Sequence, residues 1–438
     1  MLRAGLTLGA ATLCAGVLVP LAAQEQAHVF RGARIYSISG APIDEGVVVV
    51  QGGKITAVGA AASVAIPAGA ELHDVSGKVI MPGLIDTHSH IGGGDGGDRS
   101  APMQGMVRIL DAIDARSDNI QRAQAGGVTT VNVMPGSGHL MSGQTAYLKL
   151  RDGGTITSLL LCTDPVKEIC GGMKMANGTN PRGATPWPGT RAKAAAVVRD
   201  KFIKAQEYRA KARAAGNDSS KLPARDLEME ALGEVLDGKR VVHFHTHRHD
   251  DILTALRIQK EFGFKVVLHH VSDAHKVARE IAAANAPVSL IVIDAPGGKL
   301  EAMDVSMTSG AALERAGAMI GFHTDDGITD SRFFLRSAGL AVRNGMSRDK
   351  ALEAMTMAGA RMLGLETRIG SLEAGKDADF IVLSGDPLSV YTHIEQTWVE
   401  GSKVFDRSDP KDRKYAVGGA GASRDPNVHV HEGLEEHR

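Results

Sequence analysis

The stretch VVHFHTHRHDD, residues 241–251, places His243, His245, His247 and His249 at alternate positions. Neutral imidazole ligates metals and exchanges protons near neutral pH. Alternate residues of a strand share a face, so these histidines line one side and Val242 and Phe244 the other. In a barrel strand the apolar pair faces the helices and the histidines face the axis. His243 then lies deepest, as a hydrogen-bonded core residue, His245 near the mouth, and His247 and His249 in the loop beyond. GLIDTHSH ends in His88 and His90, again on one face, where two imidazoles can hold one cation. FKVVLHH ends in His269 and His270, which face opposite ways. Periodicity does not choose between them, because both faces of a barrel strand are buried. GFHTDD brings Asp325 to the same face as His323. Four apolar runs thus each deliver histidine or carboxylate at one end, a donor set that suits zinc or a similar divalent ion.

Something must bring these ends together. Residues 80–365 alternate apolar, strand-like runs with helix-like runs, expected at 102–125, 250–262, 273–285 and 308–316. That rhythm argues for a parallel sheet. Polar groups at successive strand ends favour an α/β (β/α)8 TIM-like barrel, whose catalytic face lies there. A doubly wound open sheet is the runner-up, and the glycine-rich motif it needs after a strand is missing. Residues 177–238 interrupt the rhythm as a helical insertion, read either as a cover for the mouth or as a solvated helix pair. Residues 28–79 and 366–406 are rich in β-branched residues and turns, and are expected to combine into one small β-sandwich domain from both chain ends. The tail, 407–438, reads as disordered.

Lys and Arg number 49 against 50 Asp and Glu, a formal charge of −1. This gives no electrostatic basis for nucleic-acid binding or for an anionic membrane. Arg3 precedes an uncharged run to Ala23, with small residues at Ala22 and Ala23. Residues 1–23 therefore read as a cleaved signal peptide rather than a membrane anchor, which places the mature chain in the periplasm or outside the cell. Cys162 and Cys170 then form either a disulfide or two buried thiols, and are too few for a zinc set.

GKVIMPGLIDTHSHIG and SLEAGKDADFIVLSGDP resemble the opening and closing signatures of the metal-dependent amidohydrolase superfamily, especially its imidazolonepropionase-like and Xaa-Pro dipeptidase-like branch. The resemblance spans 28–406. It implies metal ligation by His88, His90, His245, His270 and Asp325, with Lys174 as a carboxylated bridge between two ions and Glu168 as the alternative bridge. It further implies one or two divalent ions, expected to be zinc, and hydrolysis of a C–N bond in a small amide, cyclic amide or dipeptide. Asp325 would be the general base and acid, and His245 or His270 would stabilise the oxyanion. A mononuclear heterocycle deaminase and an inactive binding barrel are the rival readings. Tyr147, Arg182 and Arg248 are candidate substrate contacts, and homo-oligomer formation is left open.

Overall fold

Short β-branched runs bounded by glycine and aspartate become strands at both ends of the chain. The computed structural model describes residues 26–94, 98, 100–291, 299–418 and 422. From the N-terminal side come β1 (His28–Ile35), β2 (Ile43–Gln51), β3 (Lys54–Ala60), β4 (Glu71–Asp74) and β5 (Val79–Pro82). The middle supplies β6 (Leu84–Ser89), β7 (Val128–Val133), β8 (Met141–Gln144), β9 (Ala146–Lys149) and β10 (Met173–Ala176). It continues with β11 (Val242–Thr246), β12 (Val266–His270), β13 (Val288–Leu290) and β14 (Ile320–Phe322). β15 (Phe380–Leu383), β16 (Ile394–Val399) and β17 (Ser402–Asp406) return to the first group. One eight-stranded sheet runs β17-β16-β15-β5-β1-β2-β3, with β4 also on β1. β15 lies antiparallel to β5, which is where the two chain ends meet. Phe30, Ile35, Ile80, Phe380 and Trp398 are buried in its core.

β6 and β7 are parallel, and β10 through β14 pair in parallel in sequence order. Between β7 and β10 stands an antiparallel pair of segments, β9 on β7 and β8 on β10. Their backbone hydrogen bonds change partner at Thr145, which bonds Gly172. The Asp325 amide donates to the His88 carbonyl at 2.9 Å, tying the chain after β14 to β6. The barrel thus has eight positions, of which the third runs against the others. This corrects a strict strand–helix alternation. Only residues 134–140 link β7 to β8, and a parallel return needs a dozen or more.

The helix expected at 102–125 is confined to Asp118–Ala125, with a single tight turn at Ile109–Asp111. Met103 and Arg108 instead make strand-like bridges to Met141 and Gln144, extending the chain beside β8. Within 177–238 a helix spans Arg191–Ala215 and buries Ala194, Val198, Phe202 and Ala205. Phe202 stacks on Phe262 and Phe264 at centroid distances of 5.0 and 5.2 Å. Phe262 ends the helix that follows β11, so the long helix of the insertion packs on the barrel's outer layer, while Asn180 in the loop before it reaches His245 at the mouth. Residues 407–418 are ordered, against expectation. Asp409 caps a helix over Pro410–Val417 that lies against Asp118–Ala125, with proline in the first turn where its missing N–H costs nothing. The signal-peptide reading and, apart from residue 422, the rest of the tail fall outside the described residues. Among described residues no helix is long and apolar enough to cross a membrane. Cys162 and Cys170 form a disulfide with Cα atoms 5.2 Å apart.

A buried ion network joins barrel to sheet. Lys149, at the end of β9, is fully buried and donates to Asp377 at 2.8 Å and to Asp379. Arg368 and Lys54 also reach Asp377, at 2.6 and 2.5 Å. Burial pushes the Asp377 carboxyl up, but the Lys149 charge and these donors hold it down at about 2. Asp379 goes the other way, because its complete burial outweighs Lys149. Removing one partner of a buried pair strands the other, so Lys149→Met should lower unfolding free energy by about 3–5 kcal/mol in urea titrations. A carboxylate with a depressed folded pKa contributes stability above its unfolded value of about 3.9. The wild-type protein should therefore lose the Asp377 contribution as pH falls from about 4 through about 2. Urea midpoints measured across that window test the sign.

Candidate metal centre

β6 ends at the barrel mouth with His88 buried and His90 partly exposed. Asp325, just after β14, sets Oδ1 3.3 Å from His88 Nε2 and 3.0 Å from His90 Nε2. Donors bound to one tetrahedral ion at 2.0–2.1 Å stand roughly 3.3 Å apart, so the spacing matches one cation. The His90 Nδ1 lies 2.8 Å from the Met134 carbonyl. That bond places the proton on Nδ1 and leaves the Nε2 lone pair free, the usual support for a ligating histidine. Asp325 has φ of 50°, the left-handed region, costing of order 1–3 kcal/mol for a non-glycine residue. The Asp325–His88 backbone bond holds this turn. Beside it Thr324 donates to the buried Asp86 carboxylate, whose pKa burial raises to about 7 despite those bonds.

His245, His247 and His270 form a second trio of mutually close donor atoms. Ring centroids stand 4.7 Å apart for His245–His247, 4.3 Å for His245–His270 and 5.0 Å for His247–His270. His247 Nδ1 bonds Ser272 at 2.8 Å. His245 Nδ1, His247 Nε2 and His270 Nε2 are buried with no hydrogen-bond partner. Each such atom costs about 1–3 kcal/mol if left unsatisfied, and a cation would relieve that cost. His270 adopts φ of 69°. This left-handed turn at the end of β12 breaks the strand alternation, so both histidines of the pair point inward. His269 meets His88, His243 and His323, while His270 meets His245, His247 and His323.

Lys174 on β10 is fully buried beside the first trio. Its Nζ is 3.0 Å from His88 Nε2 and 3.0 Å from Met134 Sδ. Burial lowers its pKa to about 7, against the pull of Asp325. Burial likewise holds His88, His245, His269 and His270 well below the usual imidazole range, and His247 at about 4. Asp325 is pushed up by burial, yet its bond from His90 and the surrounding positive charge bring it well below the ordinary carboxylate value. Neutral imidazoles, an amine able to shed its proton and an ionised carboxylate are the protonation states that ligation demands.

Of the six expected ligands, His88, His90, Asp325 and Lys174 gather around one point and His245 and His270 around the other. Glu168 is not among them, which corrects the alternative bridge. It lies between β9 and β10, where its carboxylate accepts bonds from Thr163 outside the barrel. Tyr147 does not face substrate either. Its hydroxyl bonds His243 at 3.0 Å, and His243 bonds His269 at 3.0 Å, so His243 is the core residue expected. Arg182 donates to the Gly178 carbonyl and Arg248 to Asp250. His249 pairs with Asp273. The sequence reading undervalued His247, His269 and His323. His323 carries a signal in its place two residues before Asp325; its Nε2 is 3.2 Å from His270 Nδ1 and its Nδ1 bonds Ser289 at 2.8 Å. Asn180, 3.3 Å from His245 Nε2, had no readable signal, because it sits in a loop.

Residues 79–405 match the model of the amidohydrolase family. A solved amidohydrolase from Thermotoga maritima is 34% identical, covers 86% of this chain and 100% of its own, and superposes with a TM-score of 0.80. Amidohydrolase tasK of Hapsidospora irregularis is 28% identical over 372 residues, 78% of this chain and 38% of that longer protein. The imidazolonepropionase of Sphingopyxis alaskensis is 24% identical over 381 residues, 80% of this chain and 90% of its own.

Proposed function

The chain belongs to the amidohydrolase family, and from that membership we propose a two-cation hydrolase that opens an amide, cyclic amide or dipeptide C–N bond in a small molecule. Action on carbon–nitrogen bonds follows from the family itself. The observation that carries the two-cation reading is Lys174, a buried amine against His88 with a second unpaired histidine trio alongside. His88, His90 and Asp325 would hold one ion and His245, His247 and His270 the other, with carboxylated Lys174 reaching both. Imidazole with carboxylate suits zinc. When bound, such an ion acidifies water from a pKa of 15.7 to about 7 and polarises a carbonyl.

The chain's own groups divide the remaining work. Asp325 Oδ1 is committed toward His88 and His90, so Oδ2, 3.9 Å from His270 Nδ1, is the oxygen that takes the proton. It then returns that proton to the departing nitrogen. His245 and His270 would act on the developing oxyanion through the ion they hold, because their other ring nitrogens face Asn180 and His323. Burial of both trios keeps bulk water from screening these interactions.

Metal analysis together with an assay of N-acyl amino acids, cyclic amides, dipeptides and amino-heterocycles tests the reading. Two ions per chain and release of an amine or amino acid are expected. One ion per chain with release of ammonia from a heterocycle would instead establish the deaminase, and no turnover in any class with both ions bound would establish the binding barrel.

We also read the chain as exported. The apolar leader and the Cys162–Cys170 disulfide support this, since disulfides persist in oxidising compartments. Intact mass of the protein recovered from the periplasm or medium should lack residues 1–23. A cytosolic, full-length product would refute it. The small domain is read as a sandwich because β1 divides its edge between β4 and β5.

A further inference from the structure

We propose that His28, Glu71 and His73 form a separate metal site on the small sheet, taking one divalent cation of the Zn2+ or Cu2+ type. β1 and β4 run parallel with His28 opposite Glu71 and Phe30 opposite His73. Glu71 and His73 therefore share a face, and the register sets His28 beside both. His28 Nδ1 stands 3.0 Å from His73 Nε2. The Glu71 carboxylate spans the pair, with one oxygen 3.5 Å from His28 Nδ1 and the other 3.6 Å from His73 Nε2. A ring-to-ring hydrogen bond would account for the two imidazoles alone. The carboxylate lying across both nitrogens completes a triangle of donors, and its edges bracket the roughly 3.3 Å spacing of donors on a tetrahedral ion.

The surroundings are those of a built site. Phe30 stacks on His73 at 4.5 Å, and Trp398 closes on His28 and His73 at 5.7 and 5.6 Å. This aromatic wall fixes the ring planes from the core side, as supporting residues do around ligating histidines. The outer side is open, with the three side chains 29%, 51% and 21% exposed, so a cation can enter and keep water as its fourth ligand. Two imidazoles and one carboxylate favour Zn2+ or Cu2+ over Mg2+ or Ca2+. None of these residues belongs to the barrel centre. The ion would staple β4 to the start of β1, the first strand of the sheet, and so stabilise the folded sheet in proportion to its binding.

The test compares the tag-free mature protein with Glu71→Gln, a change at a half-exposed carboxylate that leaves packing intact, and with His73→Ala. Zn2+ alone is titrated calorimetrically. Cu2+ alone is titrated by fluorescence, because the Trp398 ring lies edge-on to His73 at 5.6 Å and the only other tryptophan of the sequence is Trp187. The wild type should bind one more equivalent than either variant, lose Trp398 emission saturably with Cu2+, and gain melting temperature with Zn2+. The variants should keep the ions held in the barrel. Should Glu71→Gln bind as many ions as wild type with the same quenching, the site does not exist. Histidines in the C-terminal tail are unchanged in both variants and cancel in the difference.

Discussion

Asp325→Asn should cut kcat by about 10²–10⁴, the range a positioned acid–base group contributes, while the protein stays folded and keeps both cations. Asparagine is nearly isosteric, retains an oxygen toward His88 and His90, and preserves the amide-to-carbonyl tie to His88. What it removes is the ability of the second oxygen to take up and return a proton. The expected pattern is a loss in kcat with little change in KM, because substrate binding does not depend on that proton. Near-normal turnover in a variant with unchanged metal content would transfer the proton to another group and end this role for Asp325.

The site was legible in the sequence where a strand carried it. His88 and His245 occupy regular strand positions and His90 directly follows the last residue of β6, so two-residue spacing places their side chains correctly. Legibility fails where the backbone leaves the extended region. His269 and His270 cannot both point inward on an ideal strand, yet the left-handed φ at His270 achieves it. Nothing in VVLHH announces that turn, because a non-glycine residue there is held by its surroundings rather than by its own preference. Lys174 and Glu168 were inseparable for a different reason. They flank Gly171 and Gly172 on the approach to β10, and only the register of Lys174 opposite His243 shows which one enters the barrel. The antiparallel third position was concealed by residues 141–149, whose composition fits a strand in either direction. The link length of 134–140 was the available signal. Helical spacing of Met106, Ile109, Leu110 and Ile113 suggested a helix, and the free edge of β8 outcompeted it through the Met103 and Arg108 bridges. Tertiary pairing overrides local propensity in this way wherever an unpaired strand edge is nearby.

Lys174→Met should lower metal content from two ions to one per chain and kcat/KM by at least about 10²-fold, comparable to losing a principal positioned group. Methionine fills the same volume without a nitrogen to carboxylate, so the packing around Met134 and His88 survives. Lys174→Glu supplies a carboxylate on a shorter stem and should recover part of the second ion and part of the rate. In the metal-stripped protein the comparison reverses. Burial lowers the folded Lys174 pKa to about 7 from an ordinary 10.5, so between these values the unfolded chain binds the extra proton. Stability of the stripped wild type should then rise with pH from about 7 to about 10.5, and stripped Lys174→Met should lack that rise. This separates a bridge from a merely structural lysine. A structural lysine would make the methionine variant weaker with or without metal, whereas a bridging one is costly to the empty fold and needed only when ions are bound. If Lys174→Met keeps two ions and full activity, the histidine–carboxylate cluster and the all-histidine cluster act without a bridge and the two-cation mechanism loses its central support.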